Sequence, residues 1–277
     1  MIPLKDNVPT SRFPWVTVVL IALNIAVFGW QLSMPSDEAS SPELARAGVS
    51  ERDQNSIEYG AIPYRITHPG SECGVTPRDI VCGEDGAVAS GGEEGATIPD
   101  NLDAPAWWVT LFSSMFMHAG FLHIAGNMLF LWIFGNNVED SMGRGRYLLF
   151  YLLAGLVAVY SQAALDPDAT GPTIGASGAV AGVLGAYAIL HPRARVLSLV
   201  IIIFFVTLIE VPALALLAIW FLLQFVPAVG QLAAEDAAGG GGIAYLAHIG
   251  GFVFGMAAIK LFANRRSGRS GGELRAG

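Results

Sequence analysis

The feature that most constrains this chain is a series of apolar segments, each close to the length that crosses a membrane. A helix of about 20 apolar residues spans the roughly 30 Å hydrocarbon core of a bilayer. Five segments approach that length: residues 15–32, about 119–134, 147–164, the shorter 176–190, and 243–262. With 53% hydrophobic and only 14% charged residues, the composition is also far from that of a soluble domain. The sequence therefore predicts a polytopic membrane protein.

A sixth segment, residues 196–229, is too long for one crossing, because 34 helical residues would measure about 50 Å. Glu210 and Pro212 interrupt it, and proline suits the first turn of a helix but disrupts a helix interior. Residues 199–209 are therefore predicted to form an interfacial or re-entrant entry, followed by a span over about 212–229. The predicted fold class is an all-α bundle of six transmembrane helices.

Six spans place both termini on one side, and the distribution of basic residues indicates which side. With the termini in the cytoplasm, the loops 166–172 and 233–242, which contain no Lys or Arg, face outward. Only Arg46, Arg52, Arg65 and Arg78 then face outward, all in one long loop. The eleven basic residues that face the cytoplasm are Lys5, Arg12, Arg144, Arg146, Arg193, Arg195, Lys260, Arg265, Arg266, Arg269 and Arg275.

This orientation divides the chain into five parts. They are a cytoplasmic N-terminus (1–13), a first transmembrane helix (14–32), an extracytoplasmic insertion (33–105), a core with the five remaining spans (106–262) and a basic cytoplasmic tail (263–277). The insertion is rich in Gly, Ser, Pro, Asp and Glu and is expected to be partly disordered. Its Cys73 and Cys82 form a disulfide if the insertion faces an oxidising compartment, or otherwise stay unpaired.

Four aromatic residues follow the insertion. They allow two interpretations, an interfacial helix at the outer headgroups or a simple extension of the second span. The four are Trp107, Trp108, Phe112 and Phe116.

Polar side chains inside the predicted spans are candidate functional groups, since a charged side chain there costs about 2.5 to 3.5 kcal/mol on insertion. The second span carries His118, His123 and Asn127, the fourth begins at Ser177, and the sixth carries His248. All three spans run inward from the outer face of the membrane. These groups therefore lie at similar depths, in the outer half of the membrane.

Ser177, in the sequence Gly-Ala-Ser-Gly, has two interpretations. Alone it would be a helix N-cap. With His248 as a base within hydrogen-bond reach it becomes a nucleophile. Small residues four apart allow two membrane helices to approach closely, and they lie beside both side chains. These predicted packing residues are Gly178 and Gly182 in the fourth span and Gly251 and Gly255 in the sixth.

His123 and Asn127 are four residues apart and share a helix face. Two donors on one face suit an oxyanion hole, although they also suit interhelical hydrogen bonding. Metal binding by His118, His123 and His248 is disfavoured because no acidic or cysteine ligand accompanies them. With no carboxylate near them in the spans, a Ser-His dyad is expected rather than a triad.

Three motifs together resemble the rhomboid family of intramembrane serine proteases over the core from about residue 9 to residue 262, excluding the insertion. The first runs from Phe116 through His118 and His123 to Asn127. The second is the Ser177 motif, and the third is Ala-His-Ile-Gly-Gly at residues 247–251, with Gly255. Glu139, Gly143 and Arg146 also match a structural turn that follows the second helix in many members.

The resemblance implies a six-helix bundle with a water-accessible cavity that opens outward. It also implies that the protein cleaves transmembrane protein substrates near their outer membrane boundary, within the lipid bilayer and without a cofactor. It implies that Ser177 attacks, that His248 accepts the proton, and that His123, Asn127 and the Ser177 backbone N–H hold the oxyanion. One position departs from the pattern, because Ala181 stands where some members place an aromatic residue that stacks on the catalytic histidine. What orients His248 is therefore open.

Two other functions fit a chain of this kind less well. A client-binding relative without activity would lack Ser177 or His248, and a transporter would show internal repeats. The short Arg-bearing tail gives no support for nucleic-acid binding. The sequence carries no signal for oligomeric state, and the expected location is the cell membrane, by preference a bacterial cytoplasmic membrane.

Overall fold

The structure is a computed structural model that describes residues 2–93, 96–202, 205–233 and 244–264. The basic residues Arg265, Arg266, Arg269 and Arg275 of the predicted tail, and all but the first residue of the predicted loop 233–242, lie outside the described residues.

Helices account for most of the described chain. In chain order they are α1 (Trp15–Leu32), α2 (Pro42–Ala47), α3 (Glu51–Tyr59), α4 (Pro63–Thr67), α5 (Trp107–Ser113), α6 (Phe121–Met142), α7 (Arg144–Leu165), α8 (Ser177–Leu190), α9 (Ala213–Ala233) and α10 (Tyr245–Phe262). The strands are β1 (Ile2–Asp6), β2 (Glu72–Val75), β3 (Ile80–Glu84), β4 (Ala87–Ser90), β5 (Arg195–Ile202) and β6 (Phe205–Pro212).

The longest apolar helices identify a membrane protein. Among the described residues, α1, α7 and α10 are each long and apolar enough to cross a bilayer, and the bent pair of α5 with α6 can supply a fourth span. The apolar helix α8 and the apolar part of α9 (Ala213–Val229) are shorter. Helices occupy all six predicted spans, while the number of crossings and the side of the termini stay predictions.

The described chain is mostly helical, as predicted, but it is not purely α because it also contains two three-stranded antiparallel sheets, ordered β1-β5-β6 and β2-β3-β4. The predicted entry segment 199–209 falls within a hairpin of β5 and β6, and α9 begins directly after Pro212. This hairpin is rich in Val, Ile and Leu, and a short apolar run of that kind forms a strand as readily as a buried helix.

The N-terminal strand β1 closes this first sheet by pairing with β5. Its last residue, Asp6, is buried and accepts hydrogen bonds from Asn137 Nδ2 at 2.7 Å and Tyr187 Oη at 2.5 Å. Desolvation raises the pKa of the Asp6 carboxyl above its ordinary value, although the Tyr187 hydrogen bond opposes the shift. The Asp6 carboxyl therefore links the N-terminal strand to α6 and α8 by hydrogen bonds.

Helix α5 answers the question about the aromatic segment after the insertion. Together with a following 3₁₀ turn (Ser114–Phe116) it meets α6 at an angle of 80°. It is therefore a separate helix rather than a straight extension of α6. Its Trp108 and Phe112 are exposed, as expected for a helix that lies at a membrane surface.

Charged side chains form hydrogen bonds with backbone groups at both ends of α1. Glu139 accepts hydrogen bonds from the backbone N–H groups of Val16 and Thr17 at 3.0 and 2.8 Å at its first turn. Arg52 donates to the carbonyl oxygens of Gln31 and Leu32 at its last turn, at 3.0 and 3.2 Å. An acidic group at the N-terminus and a basic group at the C-terminus both complement the helix dipole.

The insertion differs from the partly disordered segment expected from its composition, because its described residues fold into α2 to α4 and β2 to β4. Ser41 caps α2, and Ser50 and Asp53 form a capping box at the start of α3. Leu44, Ile57 and Tyr64 help to form a small core of their own.

A disulfide joins Cys73 and Cys82, which face each other across β2 and β3. Replacing both cysteines by alanine is expected to destabilise the insertion by about 2 to 3 kcal/mol, since the bond closes a short loop in the unfolded chain. Hydrogen exchange should then speed up at the amides of β2, β3 and β4 but not in α7 or α10. Unchanged exchange in the hairpin would show that the small core alone holds the insertion.

The insertion packs against the loop between α7 and α8. Ala61 and Thr173 exchange two backbone hydrogen bonds at 3.0 and 2.9 Å, and the Tyr64 N–H donates to the Ala169 carbonyl at 3.0 Å. The Ser90 hydroxyl donates to the Asp168 carbonyl at 2.6 Å. This loop leads directly into Ser177, so the insertion supports the segment that carries the predicted nucleophile.

Helices α8 and α10 pack in parallel with their backbones in contact. A Cβ at Gly251 would overlap the carbonyl oxygen of Gly178, and a Cβ at Gly255 would overlap that of Gly182. A Cβ at Gly182 would lie 2.5 Å from the Cβ of Ala154 in α7, on another side of α8. The glycines predicted from spacing therefore lie where the two helices are closest. This crossing brings the first turns of α8 and α10 side by side.

Candidate active site

A cavity of about 750 Å³ lies between α6, α7, α8, α9 and α10. All four polar residues predicted as catalytic or oxyanion groups line it: His123, Asn127, Ser177 and His248. The lining is otherwise largely apolar, as in many sites that bind organic ligands.

Ser177 and His248 are in direct contact at the start of α8 and α10. The Ser177 Oγ lies 2.7 Å from the His248 Nε2, which is hydrogen-bond distance for a hydroxyl and a ring nitrogen. Ser177 is the first residue of α8, where backbone N–H groups have no partner within the helix. His248 is 9% exposed, so its ring is held within the cavity wall rather than in bulk solvent.

Gly175 allows the chain to pass close to His123 before it reaches Ser177. Its φ of +124° lies in a region that favours glycine, and its N–H donates to the Ser114 carbonyl at 2.8 Å. A Cβ at Gly175 would lie 2.7 Å from the His123 Nε2 and 3.5 Å from the Ser177 Oγ. The imidazole of His123 and the hydroxyl of Ser177 therefore border the same small space.

Asn127 is oriented by His118, for which the sequence suggested no specific role. The His118 Nδ1 lies 3.3 Å from the Phe116 carbonyl oxygen, which can only accept, so this nitrogen carries the proton. The His118 Nε2 then accepts from the Asn127 Nδ2, 3.0 Å away. One amide hydrogen of Asn127 is used in this way, and the Asn127 side chain also lines the cavity.

His248 has a second polar partner that the sequence prediction missed. Its Nδ1 lies 2.8 Å from the Oε1 of Gln224 in α9. One turn earlier on the same helix, the Trp220 ring lies 6.0 Å from the His248 ring, with an angle of 38° between the planes. Gln224 is a polar side chain in a predicted span, and the cost of placing such groups in lipid could have identified it.

The site lies inside a region that a family model recognises. The model described as the Rhomboid domain matches residues 105–265, which is more than half of the chain. This chain belongs to the rhomboid family. The matched rhomboid domain includes α5 to α10 and every residue of the site, whereas α1 and most of the insertion precede it.

Similar rhomboid proteins come from fungi, bacteria and plants. The mitochondrial Rhomboid protein 1 of Saccharomyces cerevisiae is 32% identical over 152 residues, which cover 53% of this chain and 40% of that protein. Rhomboid protease GluP of Bacillus subtilis is 39% identical over 99 residues, covering 36% of this chain and 18% of that protein. RHOMBOID-like protein 5 of Arabidopsis thaliana is 30% identical over 188 residues, covering 66% and 52% respectively.

These alignments cover about half or less of each of the three relatives. Two of the rhomboid relatives are named proteases of Bacillus subtilis, and others are named as mitochondrial proteins. Membership of the rhomboid family and the apolar helices together establish a membrane protein related to intramembrane proteases.

Proposed function

We propose that this protein is an intramembrane serine endopeptidase that cleaves transmembrane protein substrates near their outer membrane boundary. The observation that carries the proposal is the 2.7 Å contact between the Ser177 Oγ and the His248 Nε2 inside the cavity. A serine hydroxyl is a weak nucleophile until a base within hydrogen-bond reach takes its proton. No cofactor takes part in this chemistry.

In the proposed reaction, the Ser177 Oγ attacks the scissile carbonyl carbon while its proton passes to the His248 Nε2. The tetrahedral intermediate collapses as His248 protonates the leaving amine, which departs with the C-terminal part of the substrate. Water then attacks the acyl-enzyme, His248 accepts its proton, and the proton returns to Ser177 as the new carboxyl end leaves.

The oxyanion of each tetrahedral intermediate is proposed to bind His123, Asn127 and the Ser177 backbone N–H. Two observations support this assignment. The His123 Nε2 borders the same space as the Ser177 Oγ, and Asn127 faces the cavity with an amide hydrogen that His118 does not use. Fixed donors of this kind stabilise charge that develops in the transition state.

The six-span topology, with both termini in the cytoplasm and residues 33–105 outside, is part of the proposal. The Cys73–Cys82 disulfide supports an outer location of the insertion, because disulfides persist in oxidising compartments. Helix α8 has 14 residues and is therefore about 21 Å long, shorter than the bilayer core. Ser177, at its outer end, would then lie below the membrane surface. A bacterial cytoplasmic membrane remains the preferred location.

The test is cleavage in liposomes of a labelled transmembrane segment that contains helix-breaking residues near its outer end. We expect two fragments from the wild-type protein, and we expect a fluorophosphonate probe to label Ser177 covalently, since that probe requires an activated serine. Mass spectrometry locates both the cleavage site and the labelled residue.

The two readouts separate the chemistry from the choice of substrate. Labelling of Ser177 without cleavage would contradict only the proposed class of substrate. Absence of both labelling and cleavage, in a protein that is correctly folded, would contradict the protease itself and leave a relative that binds transmembrane clients without cutting them.

A further inference from the structure

We propose that Gln224 of α9 is a positioning residue that fixes the tautomer and orientation of His248. This inference rests on the proposed protease function and assigns a residue to what orients its base. Both ring nitrogens of His248 are engaged, Nε2 by the Ser177 hydroxyl at 2.7 Å and Nδ1 by the Gln224 Oε1 at 2.8 Å.

The hydrogen-bond chemistry of the two partners determines where the proton resides. An amide oxygen has no hydrogen and can only accept, so the His248 Nδ1 must be the protonated nitrogen. The Nε2 then carries a lone pair and accepts from the Ser177 hydroxyl. A general base needs this tautomer, whereas the opposite tautomer would present an N–H to Ser177 and could not take its proton.

The amide also favours the charged form of His248 that exists after proton transfer. The imidazolium keeps its Nδ1–H directed at the Gln224 Oε1, and the partial negative charge on that oxygen stabilises the cation. In a Ser-His-Asp triad a carboxylate performs this task. A neutral amide does so with less charge stabilisation, but it adds no ionised group to the apolar cavity wall.

The packing of α9 places Gln224 against the site rather than toward lipid. On α9, Leu217 is buried and Trp220 is partly buried, and both share the helix face of Gln224 through spacings of three and four residues. The adjacent residues Leu222 and Leu223 are 56% and 64% exposed on the other face. Gln224 is thus a polar residue on the inward stripe of an apolar helix.

Trp220 and Gln224 contact the His248 ring, as an aromatic residue at position 181 does in some members of the family. Ala181 is fully buried, and its Cβ lies 3.5 Å from the position of a Cβ at Gly251. The close crossing of α8 and α10 therefore has room only for a small side chain at position 181. The ring of His248 is instead approached by Trp220 and bonded by Gln224, both from α9. One helix therefore supplies an aromatic neighbour and a hydrogen-bond acceptor.

The experiment compares Gln224→Met, which removes the acceptor at similar length, with Gln224→Glu, which retains one. Leu223→Met, on the exposed face of the same helix, is the matched control. For Gln224→Met we expect kcat for cleavage of the labelled transmembrane segment to fall about 10- to 100-fold, with KM within about twofold, because ordering of the base matters in the transition state. Gln224→Glu should recover most of that loss.

A second readout does not depend on cleavage. In wild-type protein labelled with ¹⁵N at histidine, we expect NMR to show His248 as the Nδ1–H tautomer, and Gln224→Met should lose that preference. A wild-type His248 with its proton on Nε2, or wild-type kcat in Gln224→Met, would overturn the role of Gln224. Folded wild-type protein that neither cuts the segment nor labels Ser177 would contradict the protease function instead, and the tautomer would still decide whether Gln224 positions the ring.

Discussion

Alanine at Ser177 and alanine at His248 are each expected to lower the rate of substrate cleavage by about 10⁴-fold or more. Ser177→Ala removes the oxygen that attacks the substrate. His248→Ala removes the base, whose Nε2 lies 2.7 Å from that oxygen. Because the two groups act as a unit, the double variant should be no slower than either single variant. Cleavage of the labelled transmembrane segment in liposomes measures these rates.

Two control variants test whether any such loss is specific. Ser141→Ala removes a buried serine whose hydroxyl donates to the Val138 carbonyl within α6. His191→Ala removes a histidine that follows the last residue of α8, at the opposite end from Ser177. Both should cleave at close to the wild-type rate. Appreciable cleavage by Ser177→Ala would contradict Ser177 as the nucleophile.

Alanine at Gly255 is expected to cause one of the largest losses of stability that a single methyl group can produce in this protein. The added Cβ would overlap the Gly182 carbonyl oxygen and would lie 2.7 Å from the Gly182 carbonyl carbon, all backbone atoms that cannot rotate away. Overpacking of a tight core costs about 1 to 3 kcal/mol, and we expect the upper end or more here. Unfolding in a graded detergent mixture measures the change.

Gly29→Ala is the matched control for this substitution. Gly29 is also helical, in α1, but a Cβ at that position would have no atom within 4 Å. Alanine there should leave stability unchanged or raise it slightly, because alanine has the higher helix propensity. Gly255→Ala should also reduce labelling of Ser177, since separating α8 from α10 moves His248 away. Equal unfolding of the two variants would mean that the helices are further apart than the structure has them.

The helices of the core could be predicted from sequence because a membrane imposes a length on every crossing. Helix α1 has the bounds of the predicted apolar segment 15–32, and α10 begins two residues later than the predicted segment 243–262 and ends at the predicted residue. The approach of Ser177 to His248 could also be anticipated, since glycines four residues apart mark helices that pack closely. Helix length and close helix packing can both be predicted because each depends on residues near one another in the sequence.

The two sheets could not be predicted in the same way, because the pairing of strands is not local. β1 pairs with β5, nearly two hundred residues along the chain, and nothing in residues 2–6 indicates that partner. The polar composition of the insertion suggested disorder, yet helix caps, a disulfide and backbone bonds to the loop before α8 stabilise it. Such bonds depend on which segments meet in space.

Gln224 was missed for a different reason. A glutamine in an apolar helix can simply bond to a neighbouring helix, so its residue type does not by itself indicate a place beside the catalytic base. Only its contact with the His248 Nδ1 distinguishes it. The cost of placing an amide in lipid applies to Gln224 as it does to Asn127.

The backbone bonds between Ala61 and Thr173 also bear on how proteins of this kind can change during evolution. The bridge is made of main-chain atoms, so no particular side-chain chemistry is needed to form its hydrogen bonds. The side chains beside the bridge are nevertheless constrained, because Ala61 is fully buried and a Cβ at Gly60 would lie 2.7 Å from the Pro172 Cβ. In related proteins that keep this bridge, we therefore expect small residues at the positions of Gly60 and Ala61.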